Sequence, residues 1–371
     1  AFRTVSHFDV SRQRVKVAAE VDLPGSLPPS HLTPRQLRRL DRAGKILVLA
    51  AQETWKQTGG SVGENCPLVL GTTAGGMLLG EAYYRQALSS PASARRQATR
   101  AVHYQPQVQA QMALDALGIT GPVTIISNAC ASGGNAIGHA FELIRSGQAD
   151  RMLAGGYDAL GEMVFSGFDS LQALSPTVCR PFDAHRDGLA LGEGAAVLAL
   201  ETLASAQQRG VEIGGEVIGY GTSIDGHHLT QPQPQGNTTL AVMNQACVNA
   251  GVTTADIDYI NAHGTGTPLN DSSEAAAISA WAGARAATLP VSSTKASIGH
   301  LLGGAGAVEA AICLMTLREQ WLPPEIEFGT LDPAGQFPIV TRPQDSRVNV
   351  VLSTSFGFGG VNATLILRRW A

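Results

Sequence analysis

Apolar residues recur along this chain in two patterns, a helical spacing and short continuous runs. Residues 32–51 show the helical spacing, with Thr33 placed to cap a helix and Pro34 in its first turn. Apolar runs that end at glycine or charged residues, as in 67–71 and 151–154, predict buried strands. The two patterns alternate, so both helices and strands are expected from the N-terminus onward.

The rest of the chain continues this alternation. Helical spacing predicts further helices over residues 108–117, 240–250, 273–281 and 305–318. Apolar runs predict further strands within residues 192–206, 212–220, 258–262, 348–353 and 362–368. This order favours an α/β fold with a mainly parallel sheet that helices cover on both faces.

Composition and charge narrow the class of protein. The 371 residues suffice for one large α/β unit or two domains of usual size. A net charge of −4 makes nucleic acid an unexpected partner. The five cysteines have irregular spacing, which predicts neither disulfides nor a zinc site and favours a reducing cytoplasm. We expect no membrane span and no signal peptide, because no apolar stretch approaches the ~18 residues that a span requires.

Cys130 lies in a segment that predicts an exposed nucleophile. The β-branched run from Val123 to Ile126 leads into small residues around Cys130, and a helical pattern follows. A thiol at a helix N-terminus is biased toward the thiolate, because free N–H groups and the helix dipole favour an anion. The thiolate is the form that attacks carbonyl groups. A small buried cysteine without chemical function explains this segment equally well when the segment is taken alone.

Two later histidines favour the chemical interpretation. His263 and His300 each follow an apolar strand pattern and lie in glycine-rich loops whose small residues cannot bury a ring by packing. A lone histidine is more often structural than catalytic, but Lys295 and the cysteine segment accompany this pair. Cysteine with two histidines in such loops suggests acyl-thioester chemistry rather than peptide hydrolysis.

Five blocks of sequence, in order from about residue 7 to the C-terminus, carry a resemblance to one family. The blocks are Asn128-Ala129-Cys130-Ala131-Ser132-Gly133; Arg180-Pro181-Phe182-Asp183 with Arg186-Asp187-Gly188 and Gly192-Glu193-Gly194-Ala195; His263-Gly264-Thr265-Gly266-Thr267-Pro268; Lys295 with Gly299-His300-Leu301-Leu302-Gly303; and Ser355-Phe356-Gly357-Phe358-Gly359-Gly360-Val361-Asn362. With these blocks the chain resembles the elongating β-ketoacyl-acyl carrier protein synthases.

The resemblance implies a reaction. Cys130 would accept an acyl group from an acyl carrier protein as a thioester, and His263 and His300 would bind the malonyl thioester carbonyl and assist decarboxylation. The enolate carbon would then attack the acyl group and form a β-ketoacyl product. Lys295, paired with Glu309, would organise the electrostatics of the site rather than act as a base.

Further residues match supporting positions of the family. The backbone N–H groups of Cys130 and Phe358 match the oxyanion hole, the Phe358 ring matches a gate, and Thr265 and Thr267 match positions that bind the phosphopantetheine arm. For Glu309 and Asp271, a structural role in fixing loops is at least as good an interpretation. No metal or cofactor is implied beyond the phosphopantetheine that carries the substrates.

The resemblance also implies the fold. The thiolase fold consists of two similar βαβαβ halves in a five-layered α-β-α-β-α core, which would divide this chain into residues 1–208 with the nucleophile and 209–371 with the two histidines. Relatives begin with a core strand that has no match here. We expect that strand to lie upstream of this sequence, because its loss would leave unpaired backbone groups in the core.

One departure from the family pattern bears on the substrate, and the positions of arginines bear on the partner. Ala74 stands where fatty-acid elongating relatives often carry isoleucine at the base of the acyl pocket, so longer or rigid polyene chains are the expected substrates. Arginines match the positions that face acidic carrier proteins; they are Arg35, Arg38, Arg39 and Arg42 in the first helix and Arg95, Arg96 and Arg100 in a loop. The chain would act as a homodimer, or as the active half of a heterodimer with a ketosynthase-like chain-length subunit.

Three alternatives stay open from the sequence. Housekeeping fatty acid elongation competes with polyketide or polyene assembly, which Ala74 favours. A coenzyme A-dependent thiolase is less consistent, because thiolases use a second cysteine near the C-terminus and residues 356–360 contain none. A silent chain-length subunit lacks the nucleophile that Cys130 supplies here.

Overall fold

Two β-sheets with helices between and outside them form the frame of the protein. The computed structural model describes residues 2–90 and 98–370. The strands are β1 Arg3–Thr4, β2 Val17–Ala18, β3 Leu68–Gly71, β4 Val123–Ile126, β5 Arg151–Asp158, β6 Gly194–Glu201, β7 Glu216–Ile224, β8 Tyr259–Asn261, β9 Val291–Ser292, β10 Trp321–Leu322, β11 Gln344–Asp345, β12 Val350–Phe356 and β13 Val361–Arg368. The α-helices of the described residues are α1 Pro34–Leu37, α2 Arg42–Gln57, α3 Met77–Ser89, α4 Ala98–His103, α5 Pro106–Leu117, α6 Ser132–Arg145, α7 Glu162–Ser170, α8 Leu203–Arg209, α9 Asn237–Ala250, α10 Pro268–Ala282, α11 Lys295–Ile298 and α12 Ala305–Glu319.

The two larger sheets are mixed rather than mainly parallel. The first has the order β4-β3-β5-β6, and the second has the order β7-β13-β12-β8-β9. Parallel pairing joins β4, β3 and β5 and likewise β12, β8 and β9, whereas β6, β13 and β7 pair antiparallel. The prediction of one mainly parallel sheet is therefore wrong. For example, β12 and β13 run antiparallel because the short glycine-rich loop of residues 357–360 joins them, whereas parallel neighbours need a longer crossover such as a helix.

Helices separate the two sheets and cover their outer faces. Helices α6 and α12 contact both sheets, while α2 and α5 lie on the outer face of the first and α9 and α10 on that of the second. This arrangement gives the layer order α-β-α-β-α. The α/β thiolase fold is thus confirmed.

The first helical segment is interrupted. Thr33 caps α1, as predicted, but Asp41 caps a new helix, α2, by accepting a hydrogen bond from a backbone N–H of its first turn. One helix over residues 32–51 is therefore wrong. The Asp41 carboxylate satisfies a free N–H group in the first turn of α2, and this cap stabilises α2 as a separate helix.

The edges of the two sheets differ. Strand β13 is covered by β7, whereas β6, which occupies the matching antiparallel position of the first sheet, pairs only with β5 among the residues that the structure describes. The expected upstream strand and the division at residues 208 and 209 stay predictions.

Candidate active site

Cys130 stands on a strained turn between a strand and a helix. It follows β4 and precedes α6, which begins at Ser132. Ala129 has a φ of 56°, a left-handed conformation that is uncommon for a residue with a side chain. Ser132 fixes the turn, because its hydroxyl donates to the Ala129 carbonyl at 2.5 Å and accepts from the Asn128 N–H at 3.0 Å. The predicted strand, turn and helix are confirmed, but the expectation of an exposed nucleophile is wrong, because Cys130 is buried at the wall of a cavity.

The Cys130 side chain is a thiol in the substrate-free enzyme. Burial raises its pKa to about 12, and Lys295 and backbone hydrogen bonds from Phe358 and Cys130 itself oppose that rise without cancelling it. The buried carboxylate Asp158 adds to it. The prediction of a resting thiolate is therefore wrong, because desolvation of the charged sulfur outweighs its position at a helix N-terminus.

His263 follows β8 and is held by its backbone. Its N–H donates to Glu274 Oε1 and Thr354 Oγ1, each at 2.9 Å, and its carbonyl accepts from Lys295 Nζ at 2.6 Å. These three partners come from α10, β12 and α11. Three elements of the second half therefore determine where the imidazole lies.

His300 is fixed by the segment that carries the Gly192 motif. Its N–H donates to the Ala190 carbonyl at 2.7 Å, and its carbonyl accepts from Gly192 N at 3.0 Å. Gly299 has a φ of 78°, and a Cβ there would lie 2.7 Å from the Leu191 carbonyl oxygen, so this position requires glycine.

The tautomer of His300 follows from one hydrogen bond. Its Nδ1 accepts from the Leu302 N–H at 3.1 Å, so the proton of the neutral ring is on Nε2. The Nδ1 atom of His263 has no hydrogen-bond partner among the described residues. His300 is thereby prepared to donate from Nε2.

The nucleophile and both histidines line one cavity of about 380 Å³. The imidazole ring centroids of His263 and His300 lie 5.3 Å apart, and their planes are nearly perpendicular, at 85°. Burial, followed by the charge of Lys295, lowers the pKa of both imidazoles well below the usual value. The cavity therefore contains a thiol and two neutral imidazoles.

Lys295 lies behind this cavity and does not line it. Its Nζ is buried and pairs with Glu309 as well as with the His263 carbonyl. Glu309 is equally buried, and burial raises the pKa of its carboxyl group against the effect of Lys295. The ammonium thus acts on the histidines through its field and through the backbone.

The loop after His263 is organised by Asp271. This buried carboxylate accepts hydrogen bonds from the backbone N–H groups of Thr265, Gly266 and Phe182 at 2.8–3.0 Å. Thr265 and Thr267 both line the cavity, and their hydroxyls lie 2.8 Å apart. Asp271 therefore fixes the loop and presents two hydroxyls to a ligand.

Phe358 closes one side of the cavity. Its ring is 41% exposed and stacks on Phe168, with centroids 5.6 Å apart. The loop that carries it is tied down, since Gly359 N donates to the Leu229 carbonyl and Asp225 N to the Gly360 carbonyl, both at 2.7 Å. At Gly360, where φ is 83°, a Cβ would lie 1.9 Å from the Asp225 carbonyl oxygen. The half-exposed ring thus stands on a fixed glycine loop beside the nucleophile, at the position predicted for a gate.

Other predicted residues lie outside the cavity. Ala74 is absent from its lining, and its N–H donates to Asp158 at 2.8 Å. Arg35 and Arg38 are exposed and Arg39 is partly buried. Arg95 and Arg96 lie outside the described residues.

Arg42 is a correction to the predicted docking surface. Its guanidinium pairs with the buried Glu193, whose carboxylate also accepts from Val21 N at 2.8 Å and Leu160 N at 3.1 Å. Arg42 is thus part of the internal scaffold, because burial of Glu193 requires a charged partner. Arg100 likewise donates to the Gln86 side chain at 2.7 Å.

The sequence reasoning missed Glu274. This side chain lines the cavity, accepts from the N–H groups of His263 and Gly264 and is fully buried, which raises its pKa to about 7. A glutamate in an otherwise apolar stretch of α10, three residues after Asp271, was the signal that could have identified it.

Within residues 2–90 and 98–370, no three or more His, Cys, Asp or Glu side chains form a group that could hold a metal ion. None of the helices in the described part of the chain has the length and hydropathy of a membrane span. All five cysteines are free and buried.

Comparisons with known proteins agree with this geometry. The chain matches the family models "Beta-ketoacyl synthase, N-terminal domain" over residues 27–206 and "Beta-ketoacyl synthase, C-terminal domain" over residues 214–329. It is 36% identical over 351 residues to 3-oxoacyl-[acyl-carrier-protein] synthase 2 of Staphylococcus aureus (strain COL), which covers 92% of this chain and 84% of the relative. It is 37% identical over 359 residues to Nodulation protein E of Rhizobium meliloti, covering 95% and 88% respectively.

A solved structure is similarly close. The ishigamide ketosynthase/chain length factor superposes with a TM-score of 0.92 at 32% identity, over 100% of this chain and 92% of that chain. Family models, identity and fold agree over nearly the whole length. The chain therefore belongs to the β-ketoacyl synthase family.

Proposed function

We propose that this β-ketoacyl synthase condenses an acyl group held on Cys130 with a malonyl group held on acyl carrier protein. One observation carries the assignment of roles: a single cavity is lined by the Cys130 thiol and by two neutral imidazoles, His263 and His300. A neutral imidazole can donate one N–H to an enolate oxygen, and His300, with its proton on Nε2, is in the tautomer that does so.

The first step transfers the acyl group. The Cys130 sulfur attacks the thioester carbonyl, the carrier's pantetheine sulfur leaves, and the thiol proton of Cys130 passes to that leaving sulfur. Because burial raises the pKa of this thiol to about 12, attack and proton loss occur together. Backbone N–H groups of Cys130 and Phe358, which hydrogen-bond at the sulfur, are placed to stabilise the oxyanion.

The second step makes the new carbon–carbon bond. The bond between the malonyl methylene and its carboxylate breaks, carbon dioxide leaves, and the electron pair forms an enolate on the thioester. His300 donates from Nε2 to the enolate oxygen, with His263 beside it. The enolate carbon attacks the acyl carbonyl, the bond to Cys130 sulfur breaks, and the β-ketoacyl group stays on the carrier. The departing thiolate takes up a proton from solvent water and returns to the resting thiol.

Supporting residues position the substrate. Thr265 and Thr267 offer hydroxyls to the amide groups of the phosphopantetheine arm, and the Phe358 ring covers the nucleophile between steps. Lys295, paired with Glu309, holds the His263 backbone, and its charge adds to burial in keeping both imidazoles neutral.

The partner is an acyl carrier protein, and the docking surface contains Arg35, Arg38 and Arg39 with Arg95 and Arg96. Arg35 and Arg38 are exposed, and their guanidinium groups, on a chain of net negative charge, would attract the acidic surface of a carrier. We further propose a dimer, either with itself or with a chain-length subunit, in the cytoplasm. The name of the ishigamide ketosynthase/chain length factor, a close structural relative, supports the second arrangement.

The pathway is proposed as polyketide or polyene assembly, with housekeeping fatty acid elongation as the second candidate. The ishigamide relative and Ala74 favour the first, and the 3-oxoacyl-[acyl-carrier-protein] synthase 2 relative favours the second. A panel of carriers from both kinds of pathway, each loaded with the same acyl group, separates them by the rate of transfer to the enzyme.

Single-turnover condensation tests the assigned roles. Acyl-enzyme mixed with malonyl-acyl carrier protein should give β-ketoacyl product and carbon dioxide in equal amounts. The His263→Ala and His300→Ala variants should still accept the acyl group but release carbon dioxide ~10²-fold or more slowly. Full decarboxylation in both variants would refute the roles of the histidines.

A further inference from the structure

Asp158 is a fully buried carboxylate next to the active site for which neither the sequence motifs nor the reaction accounts. It ends strand β5 and is 0% exposed. No cation pairs with it among the described residues; its charge is met by hydrogen-bond donors instead. A buried carboxylate without a cation is costly unless hydrogen bonds satisfy its oxygens, and here such donors reach both of them.

Those donors come from two separate loops. From the loop after β3, Oδ1 accepts from Thr72 Oγ1 at 2.7 Å, Ala74 N at 2.8 Å and Gly75 N at 3.2 Å, and Oδ2 accepts from Thr73 N at 2.8 Å. The second loop follows His300, and its Gly303 N donates to Oδ2 at 2.7 Å.

The second loop contains the hydrogen bond that sets the His300 tautomer. Leu302 N donates to His300 Nδ1, and Gly303 N, the next donor along the chain, is held by Asp158. Leu302 has a φ of 52°, so this turn is strained and needs an external restraint. Asp158 supplies that restraint.

We propose that Asp158 is a positioning residue, whose carboxylate joins the Ala74 loop to the His300 turn and holds the Nε2 proton of His300 toward the substrate. The inference rests on the proposed roles of Cys130 and His300. All five groups that contact Asp158 donate hydrogen bonds, so both of its oxygens must act as acceptors. In Asp158→Asn, the side-chain NH₂ group would face backbone N–H groups and could not accept from them.

The same charge has an electrostatic effect on the nucleophile. Burial is the main cause of the high pKa of Cys130, and Asp158 raises it further while Lys295 lowers it. His263 and His300, which share the cavity, are neutral and add no charge. Glu274, with a pKa of about 7, also lines the cavity, as do Asp187, Asp225 and His228. Removal of the Asp158 charge therefore makes the thiol more acidic.

This combination separates positioning from a purely structural role. Asp158→Asn should shift the pH midpoint of Cys130 alkylation toward acid and yet slow condensation, because the thiolate becomes easier to form while the His300 turn loosens. A variant that merely weakens the fold lowers the melting temperature and moves neither quantity in the folded fraction.

The experiment compares three variants with the wild type. Asp158→Asn removes the charge, and Thr72→Val removes one donor but keeps the carboxylate. Asp258→Asn is the matched control: this carboxylate also accepts two backbone N–H groups, from Asn349 and Val350, but at the opposite end of β8 from His263. For each protein, alkylation of Cys130 by iodoacetamide is followed against pH by peptide mass spectrometry. Single-turnover condensation from preformed acyl-enzyme is measured alongside.

The expected results are specific. Asp158→Asn shifts the alkylation midpoint toward acid and slows condensation on the order of 10²-fold, Thr72→Val slows condensation several-fold with the midpoint little changed, and Asp258→Asn changes neither. If Asp158→Asn folds but leaves both quantities at wild-type values, the proposal is overturned. If it does not fold, a wild-type condensation rate in Thr72→Val overturns it. A wild type that never forms an acyl-enzyme refutes the proposed function instead, and the alkylation midpoints still decide the role of the Asp158 charge.

Discussion

Lys295 places a buried positive charge behind His263 rather than at the substrate. Its ammonium contacts the His263 carbonyl and Glu309, and it does not line the cavity. It nevertheless lowers the pKa of both imidazoles and opposes the rise at Cys130. One cation therefore tunes three groups of the site through its field, without proton transfer.

We predict that malonyl thioester decarboxylation by a Glu274→Gln variant, which lacks the cavity carboxyl group with a pKa of about 7, is independent of pH between about 5.5 and 8. Burial and Lys295 lower the pKa of His263 and His300 below the usual 6.5, so both rings stay neutral throughout this range. The unfolded chain takes up these two protons first as pH falls, so the two histidines lower the free energy of unfolding below pH 6.5, whereas buried carboxyl groups with a raised pKa, such as Glu274, act in the opposite direction. Stopped-flow carbon dioxide release measures the rate, and a loss of rate with a midpoint at the ordinary histidine pKa contradicts the prediction.

Ala74 gives a prediction about product length. If longer chains pass this residue, Ala74→Ile should shorten the products, because added side-chain volume blocks the path. Ala74 lies in the loop that Asp158 holds, and it does not line the cavity that contains Cys130. An acyl chain that reaches Ala74 would therefore have to extend past that cavity. Mass spectrometry of the products is the measurement, with Ala74→Ser as the control of similar size. An unchanged length distribution in Ala74→Ile would count against the role.

At the residue scale, the sequence identified which residues form the site, but it did not predict their protonation states. The small residues around Cys130 and the glycine loops of the histidines are local patterns, so the sequence shows them directly. The state of the thiol depends on desolvation by residues distant in sequence, including Asp158 and Lys295. Glu274 was missed for the same reason, since only folding brings it under His263.

At the scale of elements, α1 is a short basic helix on the surface of the N-terminal half. Its Thr33 cap is fixed by a capping box with Gln36, and Gln36 also donates to Asp115 at 2.7 Å, which joins α1 to α5. Arg35 and Arg38 therefore project from a rigid support and stay exposed. A rigid, charged helix is well suited to guide an acidic partner.

Charge reversal on this helix tests the docking surface. Arg35→Glu/Arg38→Glu should raise KM for acyl carrier protein at least tenfold at low salt while turnover of a small acyl thioester mimic stays constant, because only the carrier meets the helix. The matched control is Arg318→Glu, an exposed arginine on α12 whose neighbour Glu319 already pairs with it. Equal losses with both substrates, or the same rise in KM in the control, would argue against docking at α1.

The elements also show where sequence patterns are insufficient. Helices α5, α9 and α12 lie within a few residues of their predicted bounds, because hydrophobic spacing and the glycine ends of α5 and α9 are local signals. The direction of β6 and β13 was not predicted, since strand pairing is decided by partners far along the chain. Asp41 was overlooked as a cap inside an apparently continuous helical pattern.

At the scale of the whole molecule, the central helices join the two halves. Helices α6 and α12 pack against both sheets, and the buried residues between them form one continuous cluster. Gly133 and Gly306 allow this close approach, because a Cβ at either would lie 2.6–2.8 Å from atoms of the other half or helix. Cys130 and the two histidines of the cavity therefore come from parts of the chain that share one core.

We predict that the two halves unfold together. Of the four tryptophans, Trp55 is buried in the first half and Trp281 in the second, so variants that keep only one of them report on each half separately. Urea unfolding followed by fluorescence should give coincident midpoints in both variants, because neither sheet keeps its inner face covered without α6 and α12. Circular dichroism provides the control for the intact chain, and two separated midpoints would show that the halves are independent.

The most direct test of the central account is intact mass spectrometry of the enzyme after incubation with an acyl-loaded carrier protein, followed by peptide mapping. The account predicts one acyl adduct, located on Cys130, that disappears when malonyl-acyl carrier protein is added and never forms in Cys130→Ala. An adduct that maps to another cysteine, or that persists in Cys130→Ala, would contradict it.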